Sequence, residues 1–177
     1  MFTKLLVSIF EVQFYIMPFS KSDIDQSLVV LQGKLKELTA FYRQDLDFQI
    51  MVYPLWNAKD ILGHLTFWHE SFARNIKDLA IGVKPKPLKG KLSEVNAQSV
   101  EVTSTSSLQQ LIQRIEVAQL TIEAFIYDSS IDTIPNKQGS RGYSRKEHLN
   151  VVSAHIARHL KDLTTKYKPY AQTKNQN

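Results

Sequence analysis

Residues 56–69 read WNAKDILGHLTFWH, and this stretch predicts the beginning of a long amphipathic helix. Asn57 can cap the start of that helix, and Asp60 falls in its first turn, where a carboxylate is favourable. Apolar residues then recur every three or four positions, which is the spacing of one helix face. They are Ile61, Leu65, Trp68, Phe72, Ile76 and Leu79. Gly82 and the two prolines that follow it end the pattern.

Three further stretches have helical periodicity. They run from about Ser22 to Tyr42, from about Ser107 to Tyr127, and from Ser144 to the stop expected at Pro169. The last of them opens with a capping-box pattern, serine followed three residues later by glutamate. A short helix is expected around residues 94–100, and no segment shows sustained strand alternation. The fold class is therefore all-α, a four-helix bundle with a long link between its second and third helices.

The composition fits one globular domain. The chain has 177 residues, of which 43% are hydrophobic and 22% charged, and these values are close to globular averages. We expect residues 17–170 to form the domain, residues 1–16 to be an N-terminal extension outside it, and residues 171–177 to be a flexible tail. The absence of cysteine excludes disulfides, thiol nucleophiles and cysteine-ligated metal sites.

The charge and hydropathy of the chain limit the classes of binding partner that we expect. The net charge is +5, but the lysines concentrate in one loop and in the tail, with no aromatic residues interleaved. This pattern argues against a nucleic-acid partner. The apolar run of residues 5–10 is far too short to span a bilayer. We therefore expect a cytoplasmic protein with no membrane partner and a small molecule as its ligand.

All five histidines fall on the second and fourth predicted long helices. His155 and His159 are one turn apart, so both imidazoles can face one ion. His64 borders the core-facing stripe of the second helix, whereas His69 lies on the other flank of that helix. The most economical metal site is therefore His64, His155 and His159, because three neutral imidazoles with open positions suffice for a catalytic divalent ion. The alternative is that these histidines only pack and form hydrogen bonds at the edge of the core.

The motif in residues 56–69 resembles the second-helix motif of the DinB superfamily and, more narrowly, of the ClbS/DfsB family. The sequence AHIARH at residues 154–159 resembles the fourth-helix His-x-x-x-His motif, and the resemblance extends from about Phe19 to Lys168. It implies a DinB-like bundle, a metal on His64, His155 and His159, and a homodimer. The expected ion is nickel, zinc or manganese.

Other side chains are candidates for roles around this site. Tyr53 and Tyr143 precede the second and fourth long helices, so we expect them near one end of the bundle, as a pocket residue and a proton donor respectively. His148 lies two turns before His155, where it can line the same pocket as an acid or base. Trp68 is a candidate for the pocket or the core. Its neighbours His69 and Glu70 are expected on the surface or at an interface, and Asn96 matches a family asparagine that can orient the middle link over the site.

These observations leave several functions open. The first is a metal-dependent hydrolase or transferase that acts on a small reactive electrophile, in detoxification or self-protection, as the resemblance implies. The second is a non-catalytic bundle that binds or sequesters a small ligand. The third is a purely structural dimeric bundle. Metal content separates the first from the others.

Overall fold

The computed structural model describes residues 21–173. The helices are α1 (Lys21–Tyr42), α2 (Ala58–Ala80), α3 (Leu92–Glu101), α4 (Leu108–Phe125) and α5 (Arg145–Thr173). The strands β1 (Met51–Tyr53) and β2 (Trp56–Asn57) pair in antiparallel fashion ahead of α2. The predicted extension, residues 1–16, and the last four residues of the predicted tail lie outside the described range. The all-α prediction is confirmed, because the described sheet is confined to this one short pair of strands.

Helix starts follow the predicted capping signals. The Asn57 side chain accepts a hydrogen bond from the Asp60 N–H at 2.8 Å, and Asp60 accepts one from the Asn57 N–H at 2.9 Å. Ser144 and Glu147 form the same reciprocal pair at the start of α5, with distances of 3.3 and 2.9 Å. Each pair satisfies backbone donors that a helix start leaves without an intrahelical partner.

The helix directions explain the long middle link. The Arg114 side chain on α4 reaches Glu70 on α2, and Thr66 hydrogen-bonds the Leu111 carbonyl, so these two helices run parallel. Parallel neighbours cannot be joined by a tight turn, so the chain must cross from one end of the bundle to the other. Residues 81–107 make that crossing and contain α3, as the sequence predicted.

The crossing segment packs closely against α2 at Gly63. A Cβ atom at this position would collide with the hydroxyl of Thr103, which itself donates a hydrogen bond to the Ser99 carbonyl at 2.7 Å. The glycine therefore lets the end of α3 lie against the helix turn that carries His64. This contact brings Ser99, a polar residue of the middle link, to His64.

Pro169 does not end α5, which continues to Thr173, so the expected stop at Pro169 is wrong. Proline removes one N–H donor and frees the carbonyl four residues earlier, at Thr165. Thr165 is exposed, so water can satisfy that carbonyl and the helix continues. Residues 171–173, expected in the flexible tail, are therefore helical.

The core fills the space between the helices with aliphatic residues from all four long helices and with an aromatic group at one end. That group is Phe41, Tyr42, Phe48 and Tyr167, whose rings meet at centroid distances of 5.0–6.0 Å. No described helix is long and apolar enough to cross a membrane.

Candidate metal centre and adjoining cavity

The histidine triad, His64, His155 and His159, comes together between α2 and α5. The Nε2 atom of His155 lies 3.0 Å from Nε2 of His64 and 3.1 Å from Nε2 of His159. One ligand atom from each ring lies within 4.8 Å of the others. Two imidazole nitrogens on a tetrahedral zinc ion are about 3.3 Å apart, given Zn–N distances of about 2.0–2.1 Å. The ring spacing therefore fits a single small divalent ion.

A serine from the middle link sets the tautomer of His64. The Ser99 hydroxyl donates its proton to the Asn96 carbonyl at 2.6 Å, so its oxygen is left to accept a hydrogen bond. His64 Nδ1 lies 2.9 Å from that oxygen and must be the donor. The ring proton is then on Nδ1, and Nε2 presents a lone pair to the other two histidines.

A tyrosine and an aspartate do the same for His159. The Tyr53 hydroxyl donates to Asp162 at 2.6 Å, and its oxygen lies 2.8 Å from His159 Nδ1. His159 Nδ1 is therefore the donor, and its Nε2 lone pair faces His155. Partners of this kind fix the orientation of metal-binding imidazoles and raise their basicity. With lone pairs from both neighbours, His155 would have to carry its proton on Nε2 unless a cation replaces it.

Electrostatics keep the histidine triad neutral. Burial is the largest cause and lowers the pKa of His64 to about 2, of His155 to about 3 and of His159 to about 4. Arg158 lowers all three pKa values further, and His155 and His159 also act on His64. Burial, followed by the hydrogen bond to Asp162, raises the pKa of Tyr53 well above its ordinary value. At neutral pH the rings are uncharged, which is the form that binds a metal ion.

A cavity of about 170 Å³ adjoins the triad at His155. Its walls combine aliphatic side chains with polar ones, and Arg158 lies on an exposed part of its rim. A cavity of about 150 Å³ holds a molecule the size of benzene, so this one has room for a small organic ligand. Trp68 and Asn96, predicted in the pocket, both line it, and the Trp68 indole N–H donates to the Asn96 side-chain oxygen at 3.3 Å.

His148 also lines the cavity, as its spacing from His155 predicted. Its ring is buried and stacks on Phe72 with centroids 3.9 Å apart. Burial, with a smaller effect from His69, lowers the pKa of His148 to about 3.

Tyr53 and Tyr143 do not share one end of the bundle, contrary to expectation. Tyr53 contacts His159, whereas the Tyr143 ring lies 5.5 Å from the ring of His148, three turns away along α5. The reason is that α2 and α5 are antiparallel, with His64 opposite His155 and Phe72 opposite His148, so their starts lie at opposite ends. Neither tyrosine is among the residues that line the cavity.

His69 and Glu70, expected on the surface or at an interface, both lie at the contact between α2 and α4. His69 is only 1% exposed, and its Nε2 lies 3.0 Å from the Gln119 side-chain oxygen. Glu70 is half-buried and binds Arg114 through both carboxylate oxygens at 2.8 Å. The sequence pattern did not show this burial, because α4 covers the flank of α2 opposite α5. Both flanks of α2 therefore contact another helix.

The sequence pattern did not single out three residues that contact the histidines or their partners, Ser99, Asp162 and Gln119. Asp162 has a local signal, because it lies one turn after His159 on the same helix. Ser99 and Gln119 have none, since each meets its histidine across 35 or 50 residues of chain.

Comparison with known proteins identifies the fold. No protein-family model matches the sequence, and a search of curated proteins found no match. The solved structure of a mycothiol-dependent maleylpyruvate isomerase is similar, with a TM-score of 0.63 and 12% identity over 79% of this chain and 60% of that one. A histidine-to-alanine mutant of that isomerase gives a TM-score of 0.62 and 11% identity over the same shares. The chain thus spans about 60% of the length of the structures that it matches, and it shares their helical fold.

Proposed function

We propose that this protein is a metal-dependent enzyme in which the histidine triad holds one divalent ion beside a pocket for a small electrophilic substrate. The observation that carries the proposal is the convergence of three neutral Nε2 atoms at 3.0–3.1 Å, two of them with their lone pairs fixed by outer hydrogen bonds. Histidines that only pack do not need two independent networks that free the same ring nitrogen. The ClbS/DfsB resemblance supports a hydrolase or a transferase, in detoxification or self-protection.

The donor set limits the choice of ion. Three imidazole nitrogens suit zinc and nickel better than manganese, which favours oxygen ligands. When bound, such an ion supplies Lewis acidity, which polarises a substrate oxygen or makes a water molecule more acidic.

The chain's own residues supply position and environment. Ser99 and the Tyr53–Asp162 pair hold His64 and His159 in the ligating tautomer. Leu65 and Ile156 give the cavity dry walls, which strengthen polar interactions inside it. Arg158 at the rim favours a substrate with negative charge at its outer end.

The similar isomerase is, by its name, dependent on a small thiol, mycothiol. This supports the transferase version of the proposal, in which a thiol cosubstrate attacks the electrophile. This chain contains no cysteine, so any thiol must come from outside it.

Elemental analysis of protein purified without a histidine tag tests the proposal. We expect close to one zinc or nickel ion per chain, and a metal-free protein that takes up neither ion would contradict it. The metal-loaded protein is then incubated with an epoxide or an activated ester, with and without a small thiol, and the products are followed by mass spectrometry. A hydrolysed product indicates a hydrolase and a thiol adduct indicates a transferase. Retention of one equivalent without turnover indicates the sequestering bundle, which is the alternative function.

We also propose a homodimer, on the family resemblance alone. Light scattering at micromolar concentration should give twice the chain mass of 20.3 kDa. A strict monomer would contradict this.

A further inference from the structure

A second group of histidines, the histidine pair His69 and His148, lies in the cavity wall outside the triad. Both side chains are buried, with exposures of 1% and 2%. Neither is among the residues whose ligand atoms cluster in the triad. The pair therefore needs its own explanation.

The tautomer of His69 follows from two hydrogen bonds of Gln119 on α4, one to Glu123 and one to His69. The Gln119 side-chain nitrogen lies 2.8 Å from the carboxylate of Glu123, which can only accept when ionised. The amide nitrogen of Gln119 therefore points at Glu123, and its oxygen points at His69 Nε2, 3.0 Å away. An amide oxygen can only accept, so His69 Nε2 carries the ring proton.

The other nitrogen of His69 is then a lone-pair acceptor. The ring is neutral at pH 7, because burial lowers the pKa of His69 to about 4 against the opposing effect of Gln119. None of the described side chains or backbone groups donates to His69 Nδ1, although this atom is buried. A buried acceptor without a donor is costly. His69 is a wall residue of the cavity, so a ligand that reaches Nδ1 through a small shift of the wall and brings the donor is favoured.

His148 extends the same polar wall. Its Nδ1 is likewise buried without a partner among the described residues, and its ring is held flat against Phe72 at 3.9 Å. The stack limits rotation of the ring towards another partner. The cavity wall also contains aliphatic side chains, among them Leu65, Val152 and Ile156, and the two amides Asn96 and Asn136.

We propose that this cavity binds a small, mostly apolar molecule through a hydroxyl or N–H group that donates a hydrogen bond to Nδ1 of His69. The aliphatic walls would hold the apolar body, and the cavity volume of about 170 Å³ limits that body to about the size of one aromatic ring. That such a molecule is the substrate rests on the proposed function, whereas its binding does not.

Three ring-sized probes test the inference: phenol, which donates a hydrogen bond, toluene, which has the same shape without one, and pyridine, which only accepts. Each is titrated into the full-length, untagged protein, with and without one equivalent of zinc, while the ring resonances of His69 and His148 are followed by NMR. We expect phenol to bind about tenfold more tightly than toluene and to shift both rings, because toluene leaves the acceptor unsatisfied. Pyridine should bind no more tightly than toluene in the zinc-free protein.

Equal affinities for phenol and toluene would overturn the inference, as would tighter pyridine binding in the zinc-free protein or no shift of the two rings with any probe. The variant His69→Phe keeps an apolar ring in the wall and should make phenol and toluene bind equally. If that variant does not fold, the wild-type shifts and affinity ratio still decide the matter. A phenol preference in a protein that takes up no metal would uphold this inference while the proposed function fails, and a metal-binding protein without the preference would do the reverse.

Discussion

The histidine triad and the histidine pair consist of the same residue type on the same two helices, yet their partners assign them different chemistry. In the triad, the Ser99 and Tyr53 oxygens accept hydrogen bonds from Nδ1 of His64 and His159. The Nε2 lone pairs are then free and converge on one point. In the pair, the Gln119 side-chain oxygen accepts a hydrogen bond from Nε2 of His69, which leaves Nδ1 as a single acceptor. The outer hydrogen bonds, rather than the histidines themselves, separate the candidate metal site from the proposed hydrogen-bonding site.

The largest expected effect comes from removing one member of the triad. His155→Ala should weaken zinc binding at least ~1,000-fold in a calorimetric titration, because two imidazoles rarely hold a divalent ion tightly. His64→Ala and His159→Ala should behave alike.

His148→Ala is the matched control, because it removes a buried histidine from the same helix two turns away. It should leave the zinc affinity within about threefold of the wild type. Zinc binding depends on the imidazoles that bind the ion, and the loss of another buried histidine should not weaken it. Equal losses in His148→Ala and His155→Ala would remove the distinction between the two groups.

Acid should destabilise the metal-free protein, because burial lowers the pKa values of the pair as well as those of the triad. Burial lowers the pKa of His69 to about 4 and of His148 to about 3. The folded state therefore binds fewer protons than the unfolded chain below about pH 6.5, so this stability is complete above that pH and is lost as the pH falls towards the folded values. Each group changes the free energy of unfolding by about 1.4 kcal/mol per pH unit in that window.

Urea unfolding at pH 7.5 and pH 5.0, with a chelator present, measures this effect. We expect the pair to contribute about 4 kcal/mol to the loss of unfolding free energy between the two conditions, in addition to the contribution of the triad. His148→Phe, which keeps a ring against Phe72, should reduce the loss by about half of that amount. A free energy of unfolding that is independent of pH would show that these histidines are not held neutral.

A smaller effect is expected from the outer partners of the triad. Ser99→Ala and Tyr53→Phe each remove the oxygen that accepts from a ligand's Nδ1, and loss of such a partner costs about 10–100-fold in metal affinity. Competition with a chromophoric chelator measures the change. Tyr143→Phe is the control, because this tyrosine contacts His148 and not the triad. Wild-type affinity in Ser99→Ala and Tyr53→Phe would mean that these hydrogen bonds do not set the tautomers.

The sequence predicted the helices and the convergence of the histidine triad from local spacing. Periodicity located four long helices, and the positions of His64, His155 and His159 on their wheels placed them towards a common space. The tautomers were beyond prediction, because Ser99 and Gln119 reach their histidines through the packing of α3 and α4. The burial of His69 was not predicted for the same reason: a wheel shows which residues share a face, but not how many neighbours cover the helix.

The most direct test of the contrast is the tautomer of each histidine in the metal-free protein at neutral pH. Long-range nitrogen–proton NMR correlations report which ring nitrogen carries the proton. The account predicts the proton on Nδ1 in His64 and His159 and on Nε2 in His69, so that one spectrum shows opposite tautomers in the two groups. A proton on Nε2 of His64 or His159, or on Nδ1 of His69, would contradict it.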